Sequence, residues 1–346
     1  MYKVIMINGR SEAEKWVLRQ THNSEGISAC GKYKFYVNEI IPDPDFVVIR
    51  GKGHKGLMEF NVAPENLVLT TSEPLTVLAY PKDYCRQFGL VCSCQETLKH
   101  KNVIYTPAIL PWFAGVTFAH SVPKALVDYD TFKSAPAPEK KKLISVVSSN
   151  KAFTKGHVKR IEFVEKLKAY YGDKLDVYGR GYNDFDDKLD VVAPYKYHIA
   201  IENNSSKYYW TEKLADCFLG ESYPIYYGCT NVSDYFPEGS LSAIDVNDFE
   251  GAVKIIDALI ENDAYEKARP FLAQSKELVL EDYNMFNYIA RCLDTLDPNR
   301  PRKRVVVKSA KSMHSWHNIN NYMIKRNVFK VQRIVSKLFK KDSFIK

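Results

Sequence analysis

Short apolar runs separated by polar turns recur along most of the chain, and their lengths alternate between those of strands and those of helices. In the first 110 residues the runs 2–7, 33–37, 46–50, 67–71 and 103–105 read as strands, with helical stretches at 12–20 and 80–88. A second alternation opens with strand 143–147, helix 159–171 and strand 175–178. An apolar strand ending at Ile199-Ala200-Ile201 then runs into a polar turn headed by Glu202-Asn203. A helix is expected to open near Thr211-Glu212-Lys213, followed by a strand from Pro224 to Tyr227, which completes a βαβ unit. Further on, 241–245 reads as a strand and 249–260 and 262–280 as helices, with Pro270 expected to break the second helix. Between the two alternations, residues 133–142 are polar and punctuated by Pro136 and Pro138, which marks a domain boundary. The pattern predicts an α/β protein of two Rossmann-like domains, 1–135 and 136–300, facing a cleft.

Composition adds little to this picture, but charge does. The apolar and charged fractions are those of an ordinary globular protein, and no run approaches the roughly 18 consecutive apolar residues of a membrane span. The first eight residues read as a strand and lack the features of a signal peptide. Seven cysteines without framework spacing fit a reducing cytoplasm, and Cys92-Ser93-Cys94 reads as two structural thiols. Residues 301–346 hold thirteen Lys and Arg against one acid, Asp342, so this stretch carries +12 of the net +8 and residues 1–300 carry −4. An acidic partner is therefore expected at the tail.

Ligands of βαβ units gather where strand C-termini meet helix N-termini. Tyr209, Glu212 and Lys213 fall within about one and a half helical turns there, with the Asn203 amide just upstream. Arg160, at the start of a helix in the same domain, reads either as a surface arginine or as a second cation for an anionic ligand. Glu73 follows the strand 67–71 and precedes Pro74. It reads either as an ordinary loop acid or as a general base aimed across the cleft. Gly51-Lys52-Gly53-His54-Lys55-Gly56 fits a dinucleotide fingerprint in letters only, since no helix follows it, and reads as a glycine turn. Asp43-Pro44-Asp45 and Asp184-Phe185-Asp186-Asp187 read as loop acids rather than metal ligands, and His198 as a satisfied core histidine.

Taken together, Ile201-Glu202-Asn203, Tyr209-Trp210-Thr211-Glu212-Lys213-Leu214 and Pro224-Ile225-Tyr226-Tyr227-Gly228 resemble the signature of glycosyltransferase family 10, the α-1,3/1,4-fucosyltransferases. Ser149-Asn150 with Arg160 and Phe163-Val164 upstream, and Tyr235-Phe236-Pro237 and 245–249 downstream, fit the same family in the same order. Ile201 departs from the family's phenylalanine and Asn204 from its usual serine. The resemblance covers roughly residues 143–290 and leaves the first 130 divergent. It implies a GT-B fold and inverting, metal-independent transfer from GDP-β-L-fucose, with no cofactor, to a glycan or lipid-linked oligosaccharide. It further implies that Arg160 and Lys213 neutralise the diphosphate, that Asn203, Tyr209 and Glu212 contact the donor, and that Glu73 is the base. The first domain would then be the acceptor side and the second the donor side. The same fold with another nucleotide sugar, or a non-catalytic binder of nucleotide or glycan, remains open from sequence.

In 322–341, Ile324, Val328, Val331, Val335 and Leu338 fall at helical spacing among Lys and Arg. The stretch suits a basic amphipathic helix on anionic lipid, at the inner face of a membrane, or a helix packed on the protein body. It shows no nucleic-acid reader motif, so no nucleic-acid partner is expected.

Overall fold

A computed structural model of the chain describes residues 1–8, 12–54, 56–118, 123–149 and 155–313, with Val328 and Val331. The predicted tail helix lies outside the described residues, those two positions aside, as does Asn150.

The first domain is built on β1 (Tyr2–Ile7), β2 (Tyr33–Val37), β3 (Phe46–Arg50), β4 (Leu57–Val62), β5 (Leu67–Thr70), β6 (Leu90–Ser93) and β7 (Val103–Tyr105). Six of these form one parallel sheet in the order β2-β1-β3-β5-β6-β7. Its central strands are buried on both faces, as the continuous apolar runs of β3 and β5 require. The stretch 12–20 is a 3₁₀ helix. The predicted helix 80–88 shrinks to α1 (Lys82–Cys85), entered through Pro81.

Residues 112–135 carry the hairpin β8 (Val116–Thr117) and β9 (Lys124–Ala125) and the helix α2 (Tyr129–Ser134). Trp112, Ala114 and Phe132 already pack into the core of the second domain, so the chain joins that core before the predicted linker. The second parallel sheet has the order β11-β10-β12-β13-β14. Its strands are β10 (Lys142–Val147), β11 (Leu175–Tyr178), β12 (Tyr195–Ser206), β13 (Tyr223–Cys229) and β14 (Ser242–Ala243). Helices α3 (Lys155–Tyr171), α4 (Glu212–Leu219), α5 (Phe249–Glu261) and α6 (Ala264–Leu280) accompany it.

Two expectations give way here. The strand that was to end at Ile201 continues to Ser206, with an irregular register against β13 after Ile201, so Glu202 and Asn203 sit on a strand rather than in a turn. Pro270 lies inside α6 without ending it, because Tyr265, Ala268, Leu272, Ser275 and Val279 bury one stripe of that helix. Packing of that stripe outweighs the roughly 3 kcal/mol cost of an interior proline.

The chain then crosses back. Helix α7 (Met285–Leu293) buries Met285, Phe286, Ile289 and Leu293 among Val4, Met6, Phe35 and Val48 of the first domain. Strand β15 (Lys303–Lys308) pairs antiparallel with β4. The predicted boundary at residue 300 falls after this crossing, and the first residues of the predicted tail are a strand of the body.

Candidate active site

In a parallel sheet every strand delivers its C-terminus to the same edge, and here β10 and β12 end beside the N-terminus of α4. Thr211 caps that helix, its hydroxyl accepting from the Lys213 amide at 3.3 Å. Glu202, on the last stretch of β12, lies fully buried beneath the cap. Its carboxylate accepts from the Thr211 amide at 2.8 Å and from the Thr211 hydroxyl at 2.7 Å. The same carboxylate pairs with the Lys213 ammonium at 3.3 Å, and Glu212 pairs with that ammonium at 3.1 Å. Burial opposes the charge on Lys213, but Glu202 and Glu212 outweigh it and raise the lysine above its ordinary value. Burial likewise opposes the charge on Glu212, and Lys213 and Lys188 overcome it and hold that carboxyl below its usual range. Glu202 ends above its usual range, because burial outweighs the pull of Lys213.

Arg160 is buried in the second turn of α3 and donates to the Asn203 carboxamide oxygen at 2.5 Å and to the Ser149 carbonyl at 3.4 Å. Its Nε has no partner among the described residues, which leaves a buried donor for a ligand. Burial lowers its pKa, against the pull of Glu202.

The first domain approaches the same edge. Glu73 heads the loop after β5, and its backbone carbonyl is held by the Gln95 side chain at 2.8 Å. Its half-buried carboxyl is pushed up by burial, and it feels Lys213, Glu212 and Glu202 from the other domain together with Lys52 from its own. Tyr209 packs with Cys94 and Ala108 of the first domain, so it is buried at the junction. Burial, Glu202 and Glu73 keep its phenol protonated. Beside it Tyr208 stacks on Tyr105 with 5.5 Å between ring centroids, and Thr76 donates to Asn204 at 3.3 Å. Glu73, Arg160, Asn203, Tyr209, Glu212 and Lys213 thus converge on one region from two domains.

A cavity of about 180 Å³ adjoins Glu212 and Lys213, walled by Phe113, Phe118, Phe185 and Val147. Lys188, which also lines it, is buried and paired with the fully buried Asp216 at 2.8 Å. Asp216 also accepts from the amides of Phe113 and Ala114, each at 3.0 Å, and so fixes the segment between the domains. Glu202, Lys188 and Asp216 were given no site role by sequence. Glu202 had a signal, its place beside Asn203 at a strand end, whereas Lys188 and Asp216 had none.

Of the remaining motifs, Asp186 and His198 line the cavity, and the others make local contacts. Gly51 and Gly53 take φ of +63° and +69° in the turn that leads from β3 to β4, a conformation glycine adopts without strain. Asp43 accepts from Asn61 at 2.7 Å, and Asp45 from the Lys3 amide at 2.8 Å. Asp187 accepts from the Gly115 amide at 2.8 Å. Among the described residues no group of three or more His, Cys, Asp or Glu is placed to hold a metal ion. His198 is a core histidine, 2.8 Å from the Ser145 hydroxyl, and burial holds it down to about 3. Cys92 and Cys94 are buried free thiols.

Residues 137–301 match the model of the C-terminal part of glycosyltransferase family 10 (fucosyltransferase). The second domain belongs to glycosyltransferase family 10. The family 10 match lies in the half of the chain that carries Arg160, Asn203, Tyr209, Glu212 and Lys213. Similar sequences include the α-(1,3)-fucosyltransferase of Helicobacter pylori, 31% identical over 77 residues, which are 22% of this chain and 16% of that protein. The 4-galactosyl-N-acetylglucosaminide 3-α-L-fucosyltransferase 9 of Mus musculus is 30% identical over 135 residues, 38% of this chain and 36% of its own. The chain therefore matches about a third or less of the length of these relatives. A crystal structure of an α1,3-fucosyltransferase superposes with a TM-score of 0.52 over 85% of this chain and 88% of that one, at 17% identity. That likeness extends the common fold, a GT-B pair of α/β domains, beyond the family 10 domain to the divergent first domain.

Proposed function

We propose that the protein is a glycosyltransferase that moves L-fucose from GDP-β-L-fucose to a hydroxyl of a glycan or lipid-linked oligosaccharide, inverting the anomeric centre. The observation that carries this reading is the convergence of Arg160 and Lys213 beside the α4 N-terminus with Glu73 entering from the other domain. The names of the two proteins similar in sequence, both 3-α-fucosyltransferases, support fucose as the sugar.

Glu73 takes the acceptor hydroxyl's proton as the bond between the sugar's C1 and the diphosphate breaks. Its raised pKa suits that work, since a more basic carboxylate removes the proton more readily. Negative charge grows on the departing GDP, and Arg160, Lys213 and the amide end of α4 offset it. Asn203 steers the Arg160 guanidinium. Glu212 does the same for the Lys213 ammonium. Two fixed cations can carry this charge without a metal. The product would belong to a surface glycan such as O-antigen, made at the cytoplasmic face of a membrane.

GDP release from GDP-fucose over a panel of glycan acceptors, with and without chelator, tests the reading. Acceptor-dependent release that survives chelation is expected. Turnover of a different nucleotide sugar in its place would overturn the donor, and loss under chelation would overturn the metal-free mechanism.

A further inference from the structure

The residues of the site carry no surplus of positive charge. Arg160 and Lys213 supply two cations, and the carboxylates of Glu202 and Glu212 beside them cancel both. Glu73 adds a further acid from across the cleft. A nucleoside diphosphate sugar brings two negative charges to this place. A buried acid next to those charges is strongly disfavoured unless it is neutralised.

Of the two acids, Glu212 is held in its charged form by two cations, Lys213 and Lys188. Glu202 is more deeply buried, its side chain wholly shielded against 11% exposure for Glu212. The groups that face Glu202 are Lys213 and Glu212 at the start of α4, Arg160 on α3, Tyr209 in the connecting loop, Cys217 further along α4, Tyr226 and Cys229 on β13, and Glu73 from the first domain. An incoming diphosphate draws Lys213 and Arg160 to itself, and these are the cations that Glu202 faces among the described residues.

We propose that Glu202 is a positioning residue that holds Lys213 and the α4 cap, and that it takes up one proton from solvent when the diphosphate sugar binds. The protonated carboxyl then donates to the Thr211 hydroxyl oxygen, 2.7 and 2.9 Å from its two oxygens, and the hydroxyl's own proton is free to turn toward the ligand. Lys213 keeps its charge throughout and exchanges one carboxylate partner for a phosphate. This rests on the donor reading above.

Isothermal titration of the full chain with GDP-fucose, in phosphate and in Tris at the same pH, reads the proton directly. GDP-fucose is the probe because both of its phosphates are esterified and neither titrates near neutrality. Wild-type binding is expected to take up a large fraction of one proton, with affinity falling by up to about tenfold per pH unit on the alkaline side. Glu202→Gln keeps an oxygen for the Thr211 amide, and its binding is expected to lose both the buffer dependence and the pH slope. Thermal unfolding of the variant reports its fold separately. Buffer-independent heats in the wild type overturn the proposal, as does proton uptake that persists in Glu202→Gln. If the wild type does not bind GDP-fucose at all, the donor reading fails instead.

Discussion

Glu73 holds its loop through its backbone carbonyl rather than its carboxylate, so Glu73→Gln should fold as the wild type does. Under the proposed mechanism this variant binds GDP-fucose normally and loses transfer by roughly 10²-fold or more, the usual contribution of a general base. Titration for binding and GDP release for turnover separate the two effects, and near-normal turnover would remove Glu73 from its role. Lys213→Ala has a different signature. It deletes a charge-assisted contact to the diphosphate, about 1.5–3 kcal/mol of binding. It also leaves Glu202 buried without its ammonium partner. The expected result is a 10- to 100-fold weaker GDP affinity by calorimetry together with a lower urea midpoint. An unchanged affinity would deny Lys213 the diphosphate.

At the scale of elements, the N-terminus of α4 is the joint between stability and chemistry. Thr211 accepts from the Lys213 amide and donates to Glu202, so Thr211→Ala removes a helix cap and a donor to a buried carboxylate at once. A cap alone is worth about 1 kcal/mol. A larger loss in urea unfolding is expected for Ala, with much of it restored in Thr211→Ser. Equal stability of the Ala variant and the wild type would show that the cap is idle. The residues of this joint were legible in the sequence because they are contiguous: a strand, a polar stretch and a helix start lie within one βαβ unit. The buried strands β1, β3 and β5 were legible for the same local reason. What was not legible depends on distant partners. Strand β4 reads Leu57-Met58-Glu59-Phe60-Asn61-Val62, short and interrupted by Glu59 and Asn61, and becomes a strand only because residues 303–308 return to pair with it. The α7 crossing was hidden because an apolar helix stripe does not say which core it will enter. Glu202 lay in plain view, but its buried pair with Lys213 follows from the strand running on past Ile201.

For the whole molecule, acid stability and the tail give separate tests. His198 is buried neutral, held down to about 3 first by burial and then by Lys188 and Lys140, whereas an unfolded histidine titrates near 6.5. Between these values the unfolded chain binds a proton that the folded chain refuses. Stability from this group is therefore full above about pH 6.5 and falls by about 1.4 kcal/mol per pH unit as the pH drops toward 3. His198→Asn should flatten the urea-midpoint profile between pH 6 and 4 by one proton's worth, and an identical slope would contradict it. The tail is tested by truncation, and the fold dictates where to cut. Removing residues 301–346 would strip β15 from β4, take Val307 out of the core and uncover Phe60 and Val62, so any lost membrane binding would be confounded with damage to the body. A cut after Met313 leaves the ribbon whole and still removes Lys325, Arg326, Lys330, Arg333, Lys337, Lys340 and Lys341. Among the described residues no helix is long and apolar enough to cross a membrane. The attachment proposed for the tail rests on its charge and a shallow apolar face. The full chain should float with vesicles containing anionic lipid, less so as salt is raised, while the 1–313 form stays in the dense fraction with an unchanged unfolding temperature. Equal flotation of both forms would place the lipid contact on the body, and flotation of neither would end the membrane reading.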